Sequence, residues 1–557
     1  MSSGEQHEAV SGSDKHKKYD RQLRLWGDHG QAALETAKVC LINATATGTE
    51  ILKNLILPGV GAFTIVDGNV VKGEDVGNNF FLDKDSIGKS RAQVATELLI
   101  ELNEDANGDY IDVDPDKLLE DNALFFVNFS LVIATSLPER TLLKLSSLLW
   151  EQEVPLLVCR SYGFVGSIRL ASTEHIVVES HPDNAHEDLR LDRPFPGMTA
   201  FCDVLNLDSM NKKDHSHTPW LVIVYKYVQL WKDQHNGELP KNYKEKNLLK
   251  EMIRNGIRRN EEGVPEDEEN FDEAIRSVNT ALVPSRIPST VQEIFDDDAC
   301  KNIHAESKPF WILARALKEF VENEGQGLLP VRGSIPDMTA DSERYIQLQN
   351  IYREQANQDI ATVSQHLLTI LQGIGRESLL NVEYRSQYSP PRTNQDGIAE
   401  SEIKKFCKNA AFLRLIRSRS FQEEYNISTS NMQQMAYQLE DEDSEFVHYI
   451  MLRAVDRFHI EYNRYPGHYN DAIDSDIPKL KACVSKLMQE WGLTNNVRDE
   501  FVQEYVRYGA CELHSIASFI GGAAAQEAIK VLTNQFVPIN NMYIYNANKQ
   551  TSITLVV

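Results

Sequence analysis

KVCLINATATGTEILKNLILPGVGAFTIVD, residues 38–67, opens with an apolar run from Val39 to Ile42, passes through a short polar loop, continues as an amphipathic stretch from Glu50 to Leu57, and ends in a second apolar run, Phe63 to Val66, closed by Asp67. The order is strand, loop, helix, strand. A βαβ unit of about 30 residues normally opens a doubly wound sheet that binds a nucleotide. Its first loop needs glycines, so that backbone N–H groups can approach phosphate oxygens at the helix N-terminus. Here that loop is Asn43-Ala44-Thr45-Ala46-Thr47-Gly48. Gly48 alone remains, and each added Cβ narrows the space a phosphate would fill.

Upstream, residues 1–16 are polar and expected to be disordered. In the next segment Tyr19, Leu23 and Trp26 recur at helical spacing, which places a helix before the first strand. Arg21 and Arg24 share one side of it, and taken alone such a pair reads as a solvated face. Downstream, strands are expected at Tyr110–Val113, Leu131–Thr135 and Pro155–Cys159, with a helix at Leu142–Trp150. That alternation predicts a mainly parallel sheet up to residue 170. Beyond it the i, i+3, i+4, i+7 pattern dominates, with Pro219 at a first-turn position and Gly373 and Gly375 ending the longest helix. The acidic stretches 261–273 and 439–446 read as solvated loops. Sheet material returns after Gly521-Gly522-Ala523-Ala524-Ala525, a run small enough for close helix packing, as Tyr543–Tyr545 and Ile553–Val556. The expected architecture is an α/β, Rossmann-like doubly wound domain, discontinuous over 17–170 and 505–557, with an all-helical insertion at 171–504.

The chain has 557 residues, 82 acidic against 57 basic, for a net charge of −25. That balance disfavours nucleic acid or an anionic membrane as main partner. Seven cysteines never come closer than 28 positions, so no CxxC exists to hold zinc at the usual spacing, and the scarcity of thiols fits a reducing compartment. With no apolar leader and no run of about 18 apolar residues, the expected location is cytoplasmic, nuclear or both.

KYDRQLRLWGDHGQ (18–31), KNLILPGVGAFTIVDGNVV (53–71), IGKSRA (87–92) and GGAAAQEAIKVLT (521–533), in that order, resemble the adenylation domains that activate ubiquitin-like proteins, and their bacterial relatives in cofactor sulfur transfer. DHSHTPW (214–220), VPEDEENF (264–271), LPVRGSIPDMTADS (329–342) and MLRAVDRFH (451–459) are similar to the regulatory halves of the heterodimeric members that start neddylation. The resemblance implies acyl adenylation: ATP and Mg²⁺ meet the C-terminal carboxylate of a small modifier, pyrophosphate leaves, and a cysteine takes the acyl group as thioester.

Against that chemistry the residues are incomplete. Active members carry Thr-Asp-Asn, whose Asp holds the metal, where this chain has Thr135-Ser136-Leu137. Their Arg-Gln pair is replaced by Gly77-Asn78-Asn79. Gly48, Asp67 (the ribose acceptor) and Lys89 survive as vestiges that serve fold or binding. Cys202, Cys300, Cys407 and Cys483 all lack the Pro-x-Cys-Thr context of the nucleophile, and Cys407 sits at core spacing. The resemblance therefore implies a chain that is no enzyme alone and binds no cofactor itself, ATP and Mg²⁺ lying in a catalytic partner subunit. It gives Arg21 a role in trans, on the ATP phosphates of that partner, for which a guanidinium is suited by its permanent charge and paired donors. It places His217 at the subunit interface, and His217 reads equally as part of a plain cap in which Thr218 starts the next helix. Asp337, Met338, Asp341, Tyr345, Ile346, Leu348, Gln349 and Asn350 form the other expected contact stretch, one that a core-facing stripe would match as well. Expected partners are the catalytic subunit, the ubiquitin-like neddylation modifier, a conjugating enzyme acting on cullins, and a membrane receptor tail. Two other readings stay open: an independent nucleotide-binding enzyme and a stand-alone adaptor.

Overall fold

In the computed structural model, which describes residues 4–183, 187–381, 397–428, 431–441, 443–494 and 497–557, the opening stretch forms β1 (Lys38–Ile42), α2 (Ala46–Ile56) and β2 (Ala62–Val66), preceded by α1 (Gly4–Thr36). β1 and β2 are parallel, with Val39 opposite Phe63 and Ile42 opposite Val66. Side chains alternate across the sheet. Val39, Leu41, Phe63 and Ile65 therefore pack with Ile51, Leu52 and Leu55 of α2, while Cys40, Ile42 and Val66 pack with Leu142, Leu145 and Leu149 on the other face. Burial on both faces is why these strands read as unbroken apolar runs.

Four further strands follow: β3 (Asn107–Ile111), β4 (Leu131–Thr135), β5 (Leu156–Tyr162) and β6 (Val165–Ala171). The sheet runs β3-β2-β1-β4-β5-β6 and continues through Met542–Asn546 to Thr551–Leu555. β1 to β5 are parallel; β6 and the two last strands are antiparallel. Strand order reverses between β1 and β4, the switch point at which open α/β sheets hold ligands. Helix His514–Thr533 lies against α2 so closely that a Cβ on Gly521 would come within 2.6 Å of the Cβ of Glu50. The small-residue run is small for this reason.

The chain divides into two compact units. One is built from Met1–Val177 and Leu415–Val557, and the other from the sequence between them. The return to the first unit thus falls at 415, where 505 was expected. Helices Phe446–Tyr462, Ile473–Glu490 and Asp499–Tyr508 bury Tyr449, Phe458, Leu480, Val502 and Tyr505 in one core with Tyr162 and Val165 of the sheet. An amphipathic helix has the same sequence pattern whatever surface it covers, so the pattern could not assign them. The polar start also differs from expectation, being helical from Gly4. Tyr19 and Trp26 are buried, and elongating an anchored helix is easier than nucleating a free one. The helix is bent at Gly27, where φ is +67°.

The second unit is helical over most of its length. Trp220–Gln234, Glu269–Ala281 and Ser342–Gly373 share a core that contains Trp220, Val224, Phe271, Leu348 and Tyr352. Among the described residues no helix is long and apolar enough to cross a membrane.

Candidate functional site

Three pieces of sheet edge meet at the switch point: the loop after β1, the end of β4, and the N-terminus of α2. Asn43 turns the chain with φ of +67°, and its Nδ2 donates to the carbonyl of Thr135 at 2.9 Å. Thr45 caps α2, its Oγ1 accepting from the amide of Gly48 at 3.2 Å and donating to Thr135 Oγ1 at 3.0 Å. A Cβ on Gly48 would lie 2.8 Å from the carbonyl oxygen of Asn43, so close packing of the loop on the helix is enough to require this glycine.

Asp67, fully buried at the end of β2, has both oxygens engaged by protein donors. Oδ2 accepts from the amide of Ala44 at 2.9 Å and from Arg91 Nε at 2.6 Å, and Oδ1 accepts from the amide and side chain of Asn69 at 2.9 and 2.8 Å. Arg91, largely buried, also pairs with Asp75 at 3.1 Å. Asn79 donates to the carbonyl of Ala44 at 3.2 Å and accepts from Thr49 Oγ1 at 3.0 Å. Lys89 is exposed.

At the helix terminus the amide of Thr47 donates to Glu512 Oε2 at 3.1 Å, and Ser136 Oγ lies 3.5 Å from Oε1 of the same carboxylate. Burial pushes the Glu512 carboxyl above the usual carboxylate range, partly offset by the amide and hydroxyls of Thr45 and Thr47. These residues do not fit ATP with Mg²⁺. A carboxylate already occupies the N-terminus of α2, both oxygens of Asp67 are committed to Ala44, Arg91 and Asn69, and position 136 offers a hydroxyl where a metal would need a carboxylate. Among the described residues no cluster of three or more His, Cys, Asp or Glu side chains is placed to hold a metal.

The four cysteines of the region 171–504 lie in surroundings that disfavour a thiolate. Cys202, Cys300, Cys407 and Cys483 are buried; burial pushes Cys202 and Cys407 up to about 12 and Cys300 and Cys483 up to about 11. A thiol in such surroundings stays protonated and inert. Cys511 is the exposed one of the seven. A brief alkylation of the native chain should therefore modify one thiol, at Cys511, and all seven only after unfolding; labelling of any of the other six in the native state would contradict this placement.

Arg21 lies on α1 with 93% of its side chain exposed. Its neighbours hold the helix. Tyr19 Oη accepts from Asn103 Nδ2 at 3.1 Å, Lys18 pairs with Asp105 at 2.8 Å, and Gln22 donates to the carbonyl of Pro58 at 2.7 Å. Arg24 is tied to Asp20 at 2.8 Å, whereas Arg21 approaches Asp20 only to 3.9 Å. The guanidinium of Arg21 is thus presented to solvent from a clamped backbone.

In the second unit the two expected contact stretches come together. The amide of Asp341 donates to the carbonyl of His217 at 2.8 Å, and Arg344 Nη1 donates to the carbonyl of Asp214 at 3.1 Å. Asp341 caps the helix Ser342–Gly373, and His217, Asp337, Ile346 and Asn350 are exposed. Met338, Tyr345 and Gln349 are half-buried. Leu348 is fully buried beside Tyr352, so it is a core residue and not a surface anchor. Thr218 does not cap the next helix either. Its Oγ1 donates back to the carbonyl of Asp214 at 2.8 Å, and Pro219 holds the N-cap position. Beneath this corner, His215 Nδ1 contacts Glu268 at 2.6 Å and its ring stacks on Phe271. The roles of Glu512, Arg91 and His215 were not foreseen; Glu512 is 465 positions from Thr47, beyond any local pattern.

The model of the ThiF family matches residues 19–556. The NEDD8-activating enzyme E1 regulatory subunit of Xenopus laevis is 57% identical over 540 residues, covering 97% of this chain and 98% of that protein. Its namesake in Danio rerio is 56% identical over 542 residues, with the same coverage. The NEDD8-activating enzyme E1 regulatory subunit AXR1 of Arabidopsis thaliana is 40% identical over 534 residues, covering 95% and 94%.

Proposed function

Because this chain belongs to the ThiF family and, within it, to the NEDD8-activating enzyme E1 regulatory subunits, we propose that it is the non-catalytic half of a heterodimer whose other subunit holds ATP, Mg²⁺ and the nucleophilic cysteine. The pair activates the ubiquitin-like modifier NEDD8 by adenylation and thioester formation. This chain stabilises the partner and sends Arg21 into the partner's site, where its guanidinium bonds phosphate oxygens as charge moves onto pyrophosphate. The corner at His217 and Asp341, with Asp337, Met338, Tyr345, Ile346, Gln349 and Asn350, forms part of the surface that meets the partner. A conjugating enzyme and the tail of a membrane receptor are further contacts in this reading.

The observation that most supports a non-catalytic chain is the commitment of Asp67 and the Thr47 amide to protein groups. Calorimetric titration of the isolated chain with ATP and Mg²⁺ tests it: no binding is expected in the micromolar range, and a micromolar Kd would reject it in favour of an independent nucleotide enzyme.

A further inference from the structure

The segment Gly509–Leu513 crosses the carboxyl edge of the sheet where a nucleotide would lie. It leaves helix Asp499–Tyr508 through Gly509 and Ala510, both at positive φ. The amide of Gly163, just past β5, donates to the carbonyl of Cys511 at 2.8 Å, and Gly163 and Glu512 form a parallel β-bridge. His514 Nδ1 reaches the carbonyl of Asn78 at 3.0 Å, on the far side of the crevice. Backbone pairing at one end and a side-chain contact at the other thus hold Glu512 over the N-terminus of α2. There Thr47 is joined through its Oγ1 to Ser161 Oγ at 2.8 Å, so the amide and hydroxyl of one residue tie the strap, α2 and β5 together.

We infer that Glu512 is a built-in acceptor, the chain's own replacement for a nucleotide phosphate oxygen, and that it holds the loop after β1, the end of β4 and the C-terminal strap in one arrangement. The inference rests on the reading that this chain keeps no nucleotide of its own. The first turn of a helix has amide groups without intrahelical partners and favours negative charge. A family member that has dispensed with nucleotide must satisfy them from within. Of the first turn of α2, the Gly48 amide goes to Thr45 and the Thr47 amide to Glu512. The misfit with ATP noted above is, on this view, a filled site.

The test is chemical rescue in the full chain. Glu512→Ala opens the position without adding bulk. Inorganic phosphate, titrated against chloride of equal ionic strength, should raise the thermal midpoint of E512A by about 2–4 °C more than that of the unaltered chain, as expected for a ligand that binds only the folded state. Equal shifts in the two proteins, or none in E512A, would overturn the inference. Should E512A not fold, amide exchange in the unaltered chain decides: the Thr47 amide should exchange within about tenfold of Ile51 in the helix interior, and exchange at the rate of an open amide would overturn it. Failure here leaves the role of Arg21 standing, because that role is read by pyrophosphate exchange in the pair.

Discussion

Arg21→Ala should lower ATP/pyrophosphate exchange by the reconstituted pair about tenfold or more, the scale expected when a charged contact to transferring phosphate is removed. The expectation follows from the setting of the side chain. Arg21 is 93% exposed and only loosely near Asp20, so its loss costs this chain no packing. Tyr19 and Gln22, on either side of it, fix the helix to Asn103 and Pro58. The variant should unfold at the temperature of the unaltered chain, which separates lost chemistry from lost folding. Arg21→Lys keeps the charge and loses the planar fork, and should recover part of the rate. Arg24→Ala provides the internal control, since Arg24 is paired with Asp20 and should change exchange less than twofold or so on the scale of a surface ion pair. Unchanged exchange in R21A would discard the role in trans.

Glu424→Ala should cost about 3–5 kcal/mol of stability in the sheet-bearing unit, the range found when one partner of a buried ion pair is removed. Glu424 sits on the short helix Phe421–Tyr425, almost fully buried. Its Oε2 accepts from Arg169 Nε at 2.8 Å and its Oε1 from Tyr449 Oη at 2.9 Å, while Arg453 Nη1 donates to the same Tyr449 oxygen at 3.0 Å. Arg169 and Arg453 are 3% and 4% exposed, so deletion of the carboxylate strands cationic charge away from water. Glu424→Gln keeps one acceptor oxygen for Arg169 and replaces the other with an amide NH2 that can donate to the Tyr449 hydroxyl oxygen, so it loses the charge without leaving a void and should cost less. A urea midpoint for E424A within error of the unaltered chain would show that this network adds nothing.

The unevenness of what could be read in advance has physical causes. β4 was expected at Leu131–Thr135 and lies there, because a strand buried on both faces is a bounded apolar run. β3 was expected at Tyr110–Val113 and runs Asn107–Ile111; it is the edge strand, mostly exposed, and its polar residues carry little pattern. The long helix ends at Gly373 with Gly375 at φ of +69° just beyond it, as its glycines implied. The stripe Met338, Tyr345, Leu348 could be read as interface or core, and for Leu348 only burial settles the choice. In the candidate site, the missing glycines and the missing carboxylate after Thr135 were visible as absences. What replaces them was not, since Arg91 reaches Asp67 from 24 positions away and Glu512 reaches Thr47 from 465. Those contacts depend on chain closure and leave no mark on neighbouring residues.

The most direct measurement of the central claim, that this chain supports activation without performing it, is isotope exchange between pyrophosphate and ATP by the purified chain alone, in the presence of NEDD8 and Mg²⁺. The expected result is exchange at the no-enzyme background, rising only when the catalytic subunit is added. Modifier-dependent exchange by the single chain above that background would contradict the account.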